Sequence, residues 1–208
     1  MSEAWHDVGD QIPRSGTRFT RWVGRTAMRL TGWQVEGTLP NHPKFIIAVA
    51  PHSSNFDFML TVMVIWSTGI RASFLAKTSL FRFPLSVVMN YFGGIPVDRS
   101  SAQGLVEQMV ELFHSRSKLI LGIAPEGTRA AVTHWRKGFA LIAAGANVPV
   151  LPAILDYQRK VVTFAPLIVE VTHADTTLQA VQQLAASGVT KRAAKLGHHA
   201  FQPSQKHR

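Results

Sequence analysis

His52 and Asp57 are the pair in this chain whose types and spacing most directly suggest chemistry. Imidazole exchanges protons near neutral pH, and a carboxylate bonded to one ring nitrogen fixes the tautomer and leaves the other nitrogen as a base. On one helix, residues five positions apart would stand about 140° apart and could not meet. They meet if His52 sits in a turn after a strand and Asp57 in the first turn of the next helix. Ser53, Ser54 or Asn55 would then cap that helix. Residues 44–50, Lys-Phe-Ile-Ile-Ala-Val-Ala, supply a short apolar strand that runs into Pro51. Two readings stay open: a general base with its orienting carboxylate, or a turn histidine beside an aspartate favoured by the helix dipole.

Two further turns carry arginines. A strand-like run at 118–124 leads into Pro125-Glu126-Gly127-Thr128-Arg129. Gly127 permits a tight turn, and the Arg129 guanidinium is a planar fork suited to phosphate. Upstream, Gly93-Gly94-Ile95-Pro96-Val97-Asp98-Arg99 places Arg99 after two glycines and a rigid proline. Taken singly, each also reads as a turn with a solvated arginine.

These turns need a scaffold that brings strand ends together. Apolar strands are expected at 44–50, 72–76, 118–124, 148–155 and 160–165, with helical patterns at 55–68, around 105–113 and at 138–146. This alternation predicts an α/β fold with a largely buried mixed sheet flanked by helices. Strand ends in such sheets are where ligands bind. With 208 residues the chain suits one domain. It divides into an N-terminal amphipathic helical segment at 1–33, the main domain at 34–189 and a basic tail at 190–208.

The helix expected over 14–33 has two stripes. Arg14, Arg18, Arg21, Arg25 and Arg29 form one, and Phe19, Trp22, Val23, Thr26, Ala27, Leu30 and Trp33 the other. Such a helix either packs on its own domain or lies in a membrane interface, and the two are compatible.

Composition narrows the class. There is no cysteine, which excludes disulfides, thiolate metal sites and a cysteine nucleophile. No clustered metal-ligand set is visible, so no metal is expected. The net charge is +10, and no acidic residue follows Asp175. That bias suits nucleic acid, an anionic lipid surface or an anionic substrate. The aromatics fall on apolar faces and do not alternate with lysines, which argues against a nucleic-acid stacking platform. The charge-free run at 58–70 is too short to span a bilayer, and prolines and glycine interrupt the one at 138–155. The acidic start lacks the apolar core of a secretory signal.

Together the turns resemble the glycerolipid acyltransferase family, which includes the lysophosphatidic acid acyltransferases. Its histidine and aspartate, four residues between them, match His52 and Asp57. Its second block is similar to Gly93 through Arg99, its Glu-Gly-Thr-Arg block to Glu126, Gly127, Thr128 and Arg129, and its apolar proline-containing strand to residues 148–152. All four occur in order, over about 31–166. Ala130 stands where the family usually has serine, and Lys77 lacks the acidic residue that often follows such a lysine.

The resemblance implies transfer of a fatty acyl group from acyl-CoA or acyl carrier protein to the hydroxyl of a lysophospholipid-type acceptor, with no further cofactor. His52 would be the general base and Asp57 its orienter. Arg99 and Arg129 would hold the acceptor's phosphate, buttressed by Glu126. Lys77 is a candidate for the developing oxyanion, and Pro152 would help line the acyl-chain site. Lipid substrates imply a partner membrane carrying anionic lipids, approached from the cytoplasmic side as a peripheral or monotopic protein. The rivals are a lipid thioesterase or hydrolase using Ser53 or Ser54, against which the absence of a Gly-X-Ser-X-Gly elbow counts, and a non-catalytic lipid-binding protein.

Overall fold

The architecture comes from a computed structural model, which describes residues 8–52, 54, 56–97, 102–127 and 135–190. The strands are β1 (Gln34–Gly37), β2 (Lys44–Ala50), β3 (Ala72–Lys77), β4 (Gly94–Val97), β5 (Leu119–Ile123), β6 (Val150–Asp156) and β7 (Val161–Phe164). The helices are α1 (Arg18–Thr31), α2 (Phe56–Thr68), α3 (Leu85–Tyr91), α4 (Ala102–Ser115), α5 (Gly138–Ala146) and α6 (Ala174–Ala185). All the strands join one mixed sheet in the order β1-β7-β6-β2-β5-β3-β4.

From β6 across to β4 the neighbours run parallel; β7 is antiparallel to β6, and β1 is parallel to β7. The parallel strands therefore point their C-terminal ends to one edge. β2 lies in the middle, and its period-2 alternation divides the core. Ile46, Ala48 and Ala50 join the cluster under α4, α5 and α6. Phe45 and Ile47 face the other way, into the cluster under α1 and α2. Helices cover both faces, so the central strands read as nearly continuous apolar runs.

α4 shows how the pattern builds a layer. Met109 and Phe113 are fully buried, while Glu107 and Glu111 are exposed. α5 is apolar almost all round and ends at Asn147, which takes the left-handed conformation (φ 49°) just before Val148 enters the core.

α1 is shorter than the 14–33 stripe suggests, and Thr17 caps it. It packs neither stripe squarely on the domain. A third face, centred on Gly24 and Met28, meets α2. Gly24 allows this approach, since a Cβ there would lie 2.4 Å from the Ser67 nitrogen. Arg21 leaves the expected solvent-facing arginine stripe and lies over Gly69, and Trp33 is buried. Phe19, Trp22 and Leu30 stay exposed.

Candidate active site

At the common strand edge, β2 delivers His52, β5 delivers Glu126 and Gly127, β6 delivers Tyr157, and β3 ends at Lys77. α2 begins at Phe56, so Asp57 falls in its first turn. Ser54 caps this start: its Oγ accepts the Phe56 N–H at 3.2 Å and its carbonyl accepts the Asp57 N–H at 3.2 Å. The turn-then-helix arrangement expected from the spacing is the one observed.

His52 Nδ1 stands 3.2 Å from Asp57 Oδ2. Asp57 is fully buried, and the His52 side chain is 22% exposed. Three more donors hold the carboxylate. The Ser54 N–H reaches Oδ2 at 2.7 Å, the Ser54 hydroxyl donates to Oδ1 at 3.0 Å, and the Tyr157 hydroxyl also donates to Oδ1. A buried carboxylate with this many donors is stabilised as the anion. An Nδ1–H donating to it would leave Nε2 as the basic nitrogen. Tyr157 is wedged edge-on against Trp33, with ring centroids 5.0 Å apart, and against Phe56 at 6.4 Å. Burial, and next the Asp57 carboxylate beside it, raise the Tyr157 phenol above its ordinary range, so it stays a neutral donor.

Glu126 is buried, and its Oε2 accepts the His52 backbone N–H at 2.8 Å. Burial pushes its carboxyl from an ordinary 4.5 up to about 7, and the Asp57 charge adds to the rise; the His52 N–H and the His52 charge pull the other way. Glu126 thus ties the turn after β5 to the histidine turn. Gly127 sits at φ 66°, and its N–H bonds the Ala124 carbonyl at 3.1 Å. The Arg136 side chain lies over it, with Cδ 2.6 Å from where a Cβ would stand.

His52 and Lys77 both line a cavity of about 1730 Å³. It is lined by Phe58, Leu60 and Val64 of α2 with Ile70 and Ala72 at the start of β3, and also by Leu105 of α4 and Phe139 and Ile142 of α5. Its walls are mostly apolar; Arg136, which lies over Gly127, and Lys137, which is ion-paired with Asp175, also line it. Pro152 is buried in β6, where the flanking Ala153 and its neighbour Leu155 contribute to the cavity wall. Arg99, Thr128 and Arg129 lie outside the described residues. Among the described residues no group of three or more histidines and carboxylates is placed to hold a metal.

Two participants escaped the sequence. Tyr157 is 100 positions from Asp57 and sits in what reads as a plain connection between strands. Its signal is being one of two tyrosines, placed directly after a fully buried strand. Arg136 comes to lie over Gly127 only through the fold.

The mixed α/β sheet thus carries a histidine–carboxylate pair at its strand edge, beside a long apolar cavity. The acyltransferase family model matches residues 33–156, more than half of the chain, and the chain belongs to that family. The fold is also that of a solved structure, the 1-acyl-sn-glycerophosphate (LPA) acyltransferase PlsC from Thermotoga maritima. The TM-score is 0.52 at 16% identity, over 83% of this chain and 81% of that one. No curated protein matches the chain.

Proposed function

We propose that this acyltransferase moves a fatty acyl group from acyl-CoA or acyl carrier protein to the hydroxyl of a lysophospholipid-type acceptor. The observation that carries the reading is the His52–Asp57 pair, 3.2 Å apart, at the wall of the apolar cavity. His52 Nε2 takes the proton of the acceptor hydroxyl as its oxygen attacks the thioester carbonyl. The thiolate leaves and the ester forms, so no enzyme nucleophile is needed. The apolar length of the cavity suits the acyl chain. Lys77, Arg136, Arg99 and Arg129 supply positive charge for the oxyanion and for the acceptor's phosphate. Ser54 suits a hydrolase nucleophile poorly, since its hydroxyl already donates to Asp57 and accepts from Phe56.

The chain works at a bilayer surface in this reading, and α1 lies in the interface. Phe19, Trp22 and Leu30 would enter the headgroup boundary, with Arg18, Arg25 and Arg29 exposed beside them. Among the described residues no helix is long and apolar enough to cross a membrane.

The test is to incubate the chain with acyl-CoA or acyl carrier protein and a panel of lysolipids, and to identify products by mass. A diacyl product with the wild type and none with His52→Ala supports the assignment. Release of free fatty acid without acceptor, dependent on Ser53 or Ser54, would overturn it in favour of a hydrolase.

A further inference from the structure

Between Asp57 and Asp98 the chain has no carboxylate, while Arg71, Lys77 and Arg82 are basic. This stretch contains the short 3-10 turn Thr78–Phe81 and α3. A helix on a water-facing surface ordinarily turns polar residues outward. The exposed face of α3 is instead predominantly apolar. Its exposed positions are Leu85, Val87, Val88 and Tyr91 with one polar residue, Asn90, and its half-buried ones are Ser86 and Met89. Phe83, just before it, is 86% exposed and Val87 62%. A contiguous apolar surface of this kind marks a binding face.

Its place in the fold says what it faces. Leu80 and Tyr91 are both exposed and both line the cavity that His52 shares. The patch is therefore the rim of the cavity mouth. Phe92, at the end of α3, stacks on Trp66 with centroids 6.0 Å apart, and Trp66 also meets α1 at Gly24. The rim and α1 thus flank the same end of α2.

We propose that the segment from Phe83 to Tyr91 is a second bilayer-inserting element, separate from α1, which seats the cavity mouth in the lipid interface. The occupant is a phospholipid bilayer with anionic headgroups: the patch is apolar at its tip and carries Arg82 and Lys77, with no acid to repel such headgroups. A lysolipid then slides from the leaflet into the cavity without crossing water. This rests on the reading that the chain works at a bilayer.

The cysteine-free chain makes the test clean. Val87→Cys and, as control, Val169→Cys carry the environment-sensitive fluorophore NBD. Val169 is exposed on the loop before α6, on the far side of the sheet. Vesicles of phosphatidylcholine with phosphatidylglycerol are added, and sedimentation measures binding independently. The expected result is a several-fold rise and blue shift of the Val87 probe, quenched by doxyl-labelled lipid, with the Val169 probe unchanged. Phe83→Asp with Val87→Asp should lower transfer to vesicle-embedded acceptor by about tenfold or more, the cost of losing two inserted apolar side chains, and leave transfer to a short soluble acceptor unchanged. A bound protein whose Val87 probe stays in water overturns this proposal and leaves the bilayer reading standing. A protein that does not sediment with vesicles overturns both. A Val87 shift without vesicles that grows with protein concentration assigns the face to a second copy and also overturns the proposal.

Discussion

The Tyr157 hydroxyl and the Ser54 hydroxyl both donate to Asp57 Oδ1, while His52 occupies Oδ2. The carboxylate that orients the base is thus itself held from a strand end far along the chain. Tyr157→Phe removes one donor and keeps the ring contacts with Trp33 and Phe56. A hydrogen bond to a charged group is worth about 1.5–3 kcal/mol. Turnover should fall by about tenfold with little change in KM. The lost donor leaves more negative charge facing the imidazole, so the acidic limb of the pH–rate profile should move to higher pH. Ser54, Glu126 and His52 are the other groups facing Asp57. A lower Tm with an unchanged profile would make Tyr157 a packing residue.

His52→Ala should lower transfer by roughly 10²–10⁴-fold, the usual contribution of a positioned base. The side chain is partly exposed in a turn, so far-UV circular dichroism and Tm should stay near the parent's. Asp57→Asn should also lower turnover strongly, because an amide in place of the buried carboxylate no longer fixes the tautomer. It should cost stability as well, since Asp57 is fully buried among its donors. Near-parent transfer by a folded His52→Ala protein would sink the mechanism.

Glu126 predicts a pH dependence. Its carboxyl titrates at about 7 in the folded chain against an ordinary 4.5. Between those values the folded chain holds a proton that the unfolded chain has released. This group's contribution therefore makes stability fall as pH rises through that window. The size is on the order of 3 kcal/mol for a shift of this extent. Glu126→Gln keeps an acceptor for the His52 N–H and removes the ionisation. Urea unfolding across this range should show a flatter profile for the variant. Parallel profiles for the two proteins would refute the assignment.

Local features of this molecule were legible in its sequence. β2 and the histidine turn follow from seven consecutive residues of strand character running into proline, and the fit of Asp57 to the next helix follows from spacing alone. What stayed hidden is short or non-local. β1 and β4 have four residues each, β1 is mostly exposed, and β4 contains Gly94 and Pro96. Neither shows the apolar alternation that marks a strand, and each forms because a neighbouring strand, β7 for β1 and β3 for β4, offers an edge. α3 is seven residues long, and its apolar outward face gives no periodicity that points inward. The Glu126 contact with His52 joins residues 74 apart, so only the parallel pairing of β2 with β5 creates it. The stripes of α1 were visible, but which face would dock was decided by Gly24, a residue with no side chain to signal it.

That glycine gives a prediction whose sign decides how α1 is held. A Cβ at position 24 would lie 2.4 Å from the Ser67 nitrogen and 2.7 Å from the Trp66 carbonyl carbon, both backbone atoms of α2. Backbone cannot rotate aside, so Gly24→Ala must separate the helices, at a cost of typically about 1–3 kcal/mol for an overpacked contact. Helix propensity pushes the other way: alanine in place of glycine favours a helix interior by about 1 kcal/mol. With α1 docked, the clash outweighs propensity, and urea unfolding should show a net loss. The bulkier Gly24→Leu should lose more and should also weaken vesicle binding, because Phe19, Trp22 and Leu30 would no longer be presented from a fixed helix. With α1 swinging free of α2, the alanine variant would be as stable as the parent or more so. A measured gain in stability for Gly24→Ala would therefore rule out the docked arrangement.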